Sequence, residues 1–329
     1  MSASTERVLV IGANGQIGSE LVEALAEQHG AQNVIAADIA PHSRFEVAHY
    51  ETLDVLDAAR LGGLVEAQRV TRIYQLAAML SVTGEQAPLK AWTLNVNGLL
   101  NVLELARERA IAGRPLSVFW PSSIAAFGPH TPPLDTPQQT VMDPTTIYGI
   151  SKQAGERLCD YYYTRFGVDV RSIRYPGIIS YKSPPGGGTT DYAVAIFHAA
   201  VRGEPYVCYL EPNATLPMIY MPDAIRATLE LMAAPAERVR VRDSYNVAGL
   251  SFSPAELGAA IAARVPGFEV RYAPDQRQAI AASWPHSLDD THARADWGWQ
   301  PRFGIDELVD DMLAHVPGPA ARGRLHNVA

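Results

Sequence analysis

Along the first half of the chain, apolar positions alternate between two periods. Arg7 to Ile11 is a short β-branched run, and Gln16 to His29 follows helical spacing with Ile17, Leu21, Val22 and Leu25 on one face. Asn33 to Ala37 is apolar again and ends at Asp38, and a short third strand leads up to Asp54. Asp57 to Gln68 predicts a helix, and Arg72 to Leu76 a strand. Pro88 to Arg109 predicts one long helix carrying Leu94, Leu99, Val102, Leu103 and Leu105. Ser117 to Trp120 predicts a strand, Ile147 to Arg165 a helix, and Val168 to Ile173 another strand. Strands alternating with helices at this spacing imply the α/β class: a Rossmann-type, doubly wound parallel sheet with crossover helices on both faces.

The second half is less regular. Pro184, Pro185 and Gly186 to Gly188 mark a loop, and Thr190 to Val201 predicts a helix. Leu216 to Met221 predicts a strand, followed by a helix from Pro222 to Met232. Ser253, Pro254 and Glu256 form a helix-start signature. The expected organisation is a dinucleotide-binding domain of residues 1–176 plus about 216–249, with a smaller lobe of about 177–215 plus 250–318. Pro319 to Ala329 has few large apolar side chains and is expected to be a flexible tail.

Composition narrows the function classes. Of 329 residues, 47% are hydrophobic and 19% charged, which is enough to fill a sizeable core. The net charge of −8, without a dense Lys/Arg run, disfavours nucleic acid or an anionic membrane as partner. No apolar stretch reaches the roughly 20 residues a bilayer span needs, and Glu6 and Arg7 interrupt any leader-like start. Cys159 and Cys208 form no Cys-x-x-Cys pair, and the histidines are scattered, so no metal site is expected. A reducing, cytoplasmic setting is the expectation.

The candidate chemistry begins at Gly12-Ala13-Asn14-Gly15-Gln16-Ile17-Gly18, between the first strand and the first helix. Glycines permit a tight turn and close backbone approach to a pyrophosphate, and the helix N-terminus offers it free N–H groups. Asp38 ends the second strand twenty positions after Gly18. A carboxylate there accepts from adenosine ribose hydroxyls and repels a 2′-phosphate, which favours NAD over NADP. Arg44 is the nearby group that a 2′-phosphate would use, and Asp54 is a candidate for the adenine edge.

Tyr148 and Lys152 stand four apart in Tyr148-Gly149-Ile150-Ser151-Lys152, on one face of a helix. Bringing a phenol from ~10 to about 7 takes roughly 4 kcal/mol. An ammonium about 4 Å away contributes on the order of 4 kcal/mol at an effective dielectric of ~20, and an oxidised nicotinamide ring adds further positive charge, so the pair is expected to make a phenolate base. Ser122 and Ser123 follow the strand ending at Trp120, where a hydroxyl can hold a substrate oxygen beside that phenolate; Ser123 is preferred.

Together, Gly12 to Gly18, Leu76-Ala77-Ala78, Asn95, Ser123, Tyr148 and Lys152 resemble the motif positions of the extended short-chain dehydrogenase/reductase family. More specifically, Trp120 to Ala125, Arg174 to Ser180, Leu216 to Tyr220, Asp296 to Trp299 and above all Pro185-Gly186-Gly187-Gly188-Thr189-Thr190-Asp191-Tyr192-Ala193 resemble its threonine-oxidising members. The resemblance implies NAD-dependent oxidation of L-threonine to 2-amino-3-ketobutyrate. Tyr148 would be the base, Ser123 the partner of the substrate oxygen, and Lys152 the group that binds the nicotinamide ribose. It implies NAD contacts from Asn14, Gln16, Ile17, Leu76, Ala77, Ala78, Asn95, Tyr175 and Ile178, substrate contacts from Ser81, Ser122, Gly188, Thr189 and Thr190, and a homodimer. Two other readings compete: a nucleotide-sugar epimerase or dehydratase, and a non-catalytic NAD-binding sensor. The stretch Tyr181 to Tyr192, with one lysine and three consecutive glycines, suits a small zwitterion better than a nucleotide diphosphate. A sensor needs only the glycine loop, not Ser123, Tyr148 and Lys152.

Overall fold

The computed structural model describes residues 6–186 and 188–317. The chain begins with Val8–Ile11 (β1), Gln16–His29 (α1), Val34–Asp38 (β2), Tyr50–Thr52 (β3), Ala58–Ala67 (α2) and Arg72–Gln75 (β4). Ser81–Gln86 (α3), Pro88–Trp92 (α4), a π-helical segment Thr93–Asn97 and Gly98–Ile111 (α5) come next, then Ser117–Ser123 (β5), Ile147–Phe166 (α6) and Asp169–Tyr175 (β6). The remainder contains Gly177–Ile179 (β7), Tyr192–Arg202 (α7), Tyr206–Cys208 (β8), Leu216–Tyr220 (β9), Met221–Ala233 (α8), Tyr245–Asn246 (β10) and Leu250–Phe252 (β11). Pro254–Ala262 (α9), Val270–Tyr272 (β12), Gln276–Ala281 (α10), Thr291–Trp297 (α11) and Ile305–His315 (α12) complete it.

The large sheet has the order β10-β6-β5-β4-β1-β2-β3, with every pair parallel. This is the doubly wound arrangement expected from the alternation. Strand periodicity explains its two covered faces: Val8 and Val10 pack into one core with α1 and α8, while Leu9 and Ile11 pack into the other with α2 and α5. Connections reverse between β1 and β4, the switch point where such sheets open a crevice at the strand C-termini.

Three expectations needed correction. β5 does not stop at Trp120; Pro121, Ser122 and Ser123 continue it, paired in register with Ile173, Arg174 and Tyr175. A buried central strand tolerates serines whose hydroxyls find partners, so their polarity is a poor stop signal. The helix from Pro88 is one rod only in part, because Thr93–Asn97 widens to π geometry. Helix α3 was not visible in the pattern at all; it is a single six-residue element.

The smaller sheets are β11-β9-β7 and β12-β8. β9 alternates between two cores: Leu216, Met218 and Tyr220 join the second lobe's apolar cluster, whereas Ile219 joins the cluster under the large sheet. The short strands of this half, of two or three residues, cannot show periodicity. The helix start at Ser253 is a full capping box with Glu256. Cys159 and Cys208 are buried and unpaired. The residues expected to form a flexible tail, Pro319 to Ala329, lie outside the described residues.

Candidate active site

Helix α6 rests directly on β5, and glycine makes that possible. A Cβ on Gly155 would lie 2.3 Å from the Trp120 ring, and one on Gly149 would lie 2.1 Å from the Ala125 carbonyl oxygen. Thr146 caps the helix by accepting from the Gly149 amide at 3.0 Å. The face turned to the sheet therefore carries Tyr148, Lys152 and Glu156 in consecutive turns.

Asn95, in the π segment, clamps the neighbouring loop. Its amide oxygen accepts from the Met79 N–H at 2.8 Å, and its NH2 donates to the Met79 carbonyl at 3.1 Å and to the Ser151 hydroxyl at 3.0 Å. Asn95 is thus tied to the loop after β4 and to α6, and it lines neither part of the groove described below.

Lys152 is 2% exposed. Its Nζ donates to the Pro121 carbonyl at 2.5 Å, lies 4.5 Å from the Trp120 ring centroid, and lies 5.5 Å from that of Tyr148. Burial pushes the ammonium down to about 7, with Cys159 and Glu156 opposing. The Tyr148 phenol is hydrogen-bonded to the Ser123 hydroxyl, yet burial pushes it up to about 12. The lysine alone therefore does not bring the phenol to neutrality, contrary to the expectation. Desolvation dominates both groups, although the tyrosine as a whole is only half-buried, and the ammonium is aimed at a carbonyl rather than at the phenol oxygen.

The two serines of β5 point to opposite faces. Ser123 meets Tyr148 and accepts from the Ala125 amide at 3.2 Å. Ser122 donates to Glu156 at 2.6 Å. Glu156 is fully buried and receives the Arg174 guanidinium at 2.8 to 3.2 Å through three N–H···O contacts. Arg174 also donates to the Gln138 carbonyl at 2.9 Å and to Asn246 at 3.0 Å. Glu156 went unnoticed in the sequence, although its place four residues beyond Lys152 was the available signal.

The cleft beside Tyr148 has a volume of about 170 Å³. It is lined by the sequence-predicted residues Gln16, Ile17, Leu76, Ala78, Ser81, Ser122, Ser123, Tyr148, Lys152, Tyr175, Ile178, Gly188, Thr189 and Thr190. Asp191, part of the 185–193 motif but given no site role, and Trp284, which was not singled out, line it too; Asp191 and Lys152 are the charged residues among its lining groups. Thr189 Oγ1 is buried without a hydrogen-bond partner among the described residues. Asp191 accepts from the Gly188 amide at 2.8 Å, which shapes the loop. The Tyr175 hydroxyl is engaged by Thr228.

A second cleft of about 230 Å³ continues from the first through Leu76 and Ala78, and contains Gly12, Gly15, Asp38, Asp54 and Ala77. Gly12 has φ +82, and a Cβ there would lie 2.7 Å from the Ala77 nitrogen; a Cβ on Gly18 would lie 2.3 Å from the Gly12 carbonyl. Gly18 therefore lets α1 pack closely against the loop that follows β1. The N-terminus of α1 has no side-chain cap, which leaves its first N–H groups for an anion. Asp38 accepts from the Asn14 and Ala40 amides at 3.0 and 3.2 Å. Asn14 in turn donates to the His42 carbonyl and accepts from the Arg44 amide, so it pins the 40–45 loop. An uncapped helix start, a carboxylate at the end of β2 and a groove running to Tyr148 fit a dinucleotide.

The sequence profile of the NAD dependent epimerase/dehydratase family matches residues 8–248. The chain belongs to that family. The extended short-chain dehydrogenase/reductase resemblance read from the motifs thus holds. The holo form of a GalE-like L-threonine dehydrogenase from Cupriavidus necator is 60% identical, with a TM-score of 0.92 over 94% of this chain and 100% of that one. A monomeric L-threonine 3-dehydrogenase from a metagenome, in its apo form, is 44% identical with a TM-score of 0.89, covering 94% and 98% of the two chains. The mitochondrial L-threonine 3-dehydrogenase of Bos taurus is 45% identical over 94% of this chain and 83% of the bovine one.

The charge state of Lys152 can be tested through stability. A pKa of about 7 in the fold, against 10.5 for an ordinary lysine, makes its burial costly. That cost is complete below about pH 7, where the group is protonated folded and unfolded, and vanishes above about 10.5. Lys152→Met is therefore expected to raise the melting temperature most on the acid side, with the gain shrinking as pH rises toward 10.5. A gain independent of pH would show that the lysine is not desolvated.

Proposed function

We propose that this protein oxidises L-threonine to 2-amino-3-ketobutyrate with NAD, as a step of threonine catabolism in the cytoplasm. The carrying observation is the small cleft whose lining brings Ser123, Tyr148 and Lys152 together with a single carboxylate, Asp191, and the unpartnered Thr189 hydroxyl. A nucleotide diphosphate would want cations, whereas Lys152 is the basic group of this lining. Residues 1–176 with about 216–249 would carry the cofactor, and 177–215 with 250–318 the substrate lobe.

In this reading Ser123 donates to the threonine side-chain oxygen and Tyr148 takes the proton from it. Asp191 faces the ammonium, and the Thr189 hydroxyl, with Ser81, Thr190 and the Gly188 backbone, surrounds the carboxylate. NAD, when bound, supplies the hydride acceptor and a positive charge. Gly12, Gly15, Gln16 and Ile17 at the start of α1 would hold its phosphates; Asp38 and Asp54 would hold the adenosine side. Lys152, held by Pro121 and Trp120, lies where it can donate to a ribose hydroxyl and add charge against the raised phenol. Because Tyr148 starts near about 12, extra positive charge in the cleft has to bring it down before it works as a base near neutrality.

We further propose a homodimer through α4 to α6. That face exposes Leu89, Trp92, Ile150, Tyr161 and Phe166, while Tyr162 turns inward to Glu104 and Tyr163 lies beneath Arg242. Sedimentation at several concentrations is expected to give a dimer mass throughout; a monomer at all of them, as in the metagenomic relative, would rule it out.

Purified protein given NAD and L-threonine is expected to form NADH, followed by absorbance. Turnover of a UDP-sugar without turnover of threonine would sink this reading. Tyr148→Phe is expected to bind NAD normally and to lose roughly 10² or more in turnover, the usual scale for removal of a general base. Full activity in that variant would remove Tyr148 from its role.

A further inference from the structure

We propose a second anion site, at the N-terminal end of the central strands and opposite the groove, that takes a polyphosphate group. Residues just ahead of three neighbouring strands converge there: Arg7 before β1, Arg69 before β4 and Arg114 before β5, in a register that aligns Val8 with Arg72 and Arg72 with Ser117. Arg109, near the end of α5, completes a cavity of about 890 Å³ whose other charged lining residue is Glu66, near the end of α2. The chain as a whole is at −8, yet this cavity holds four guanidiniums against one carboxylate.

Helix C-termini are the first alternative explanation for the arginines. Each contributes roughly −0.5 of partial charge, so the ends of α2 and α5 together with Glu66 balance about two of the four cations and leave about +2. The arrangement of partners agrees with a surplus. Glu66 is shared, accepting from Arg114 at 2.5 Å and also from Arg109, and the Arg114 guanidinium beside it holds its carboxyl below the usual carboxylate range. Among the described residues, the Arg7 guanidinium has only the neutral Gln68 amide oxygen, at 3.0 Å. The Arg69 guanidinium makes no ion pair among the described residues. The Nε atoms of Arg7 and Arg109 are buried without a hydrogen-bond partner among the described residues.

An anion of one charge gains little against water and salt at such a site. A chain of phosphates brings two or more charges and oxygens matched to the guanidinium fork. The cavity volume lies within the range of about 300–1,000 Å³ typical of small-ligand sites, which favours a nucleotide or a free polyphosphate over a protein segment.

The test is calorimetric titration of tripolyphosphate and of ATP into protein saturated with NADH, so that the groove's own phosphate site is filled. One binding event per chain is expected, weakening with added salt. Equal affinity for the two probes would assign the site to free polyphosphate, and tighter ATP to a nucleotide. Arg69→Gly with Arg114→Gln is expected to weaken binding about tenfold or more, because neither guanidinium can then donate a charge-assisted hydrogen bond to the phosphates. Glycine suits the φ of +53 at position 69, and neither side chain touches the groove, so melting temperature and NADH affinity should be unchanged. No binding up to about 1 mM, the weak end of small-ligand affinities, or undiminished binding in the double variant, overturns the site.

Discussion

The close seat of α6 on β5 is the constraint from which the rest of the site follows. Gly149 and Gly155 leave no gap between helix and strand, with Trp120 filling the space a side chain on residue 155 would need. That packing takes Lys152 out of water and leaves Tyr148 half-buried at the wall of the cleft. It also fixes which serine of β5 reaches the phenol, because adjacent strand residues point to opposite faces. Ser123 therefore meets Tyr148, and Ser122 is sent to Glu156.

Behind the cleft, Glu156 and Arg174 are buried together, and the carboxylate pushes the guanidinium up in spite of its burial. The polar atoms of the pair are well satisfied: Ser122, Gln138 and Asn246 complete the shell. The result joins α6, β5, β6 and β10 through one charge network. The ends of three neighbouring strands and the reactive face of one helix are held as a unit, so the spacing between Ser123, Tyr148 and Lys152 does not depend on loop conformation. The loop around Gly188 to Asp191, by contrast, is held by the Asp191 carboxylate and by the Tyr209 hydroxyl, which donates to the Gly188 carbonyl.

Much of this was legible in the sequence because the relevant signals are local. Glycine spacing after a β-branched run, a carboxylate at the end of the next strand, and tyrosine and lysine one helical turn apart are all readable without tertiary knowledge. The large sheet was legible because its helices are long enough to show a period. What escaped is what depends on distant segments meeting. Trp284 reaches the cleft from a stretch with no chemical pattern, and most strands from β7 to β12 are too short to register. The relative strength of burial and attraction at Tyr148 and Lys152 was also invisible, since spacing says that two groups are neighbours but not how dry they are. Asn14 and Asn95 illustrate a different limit: residue type and place were readable, but their amides are spent on holding loops.

The low proton affinity of Lys152 makes the charge of the cleft adjustable. On the acid side of about 7 the group is an ammonium and adds its charge against the raised phenol of Tyr148; on the alkaline side it is an amine and adds none. The burial that fixes the geometry of the site thus also sets an alkaline limit on the positive charge the site can hold.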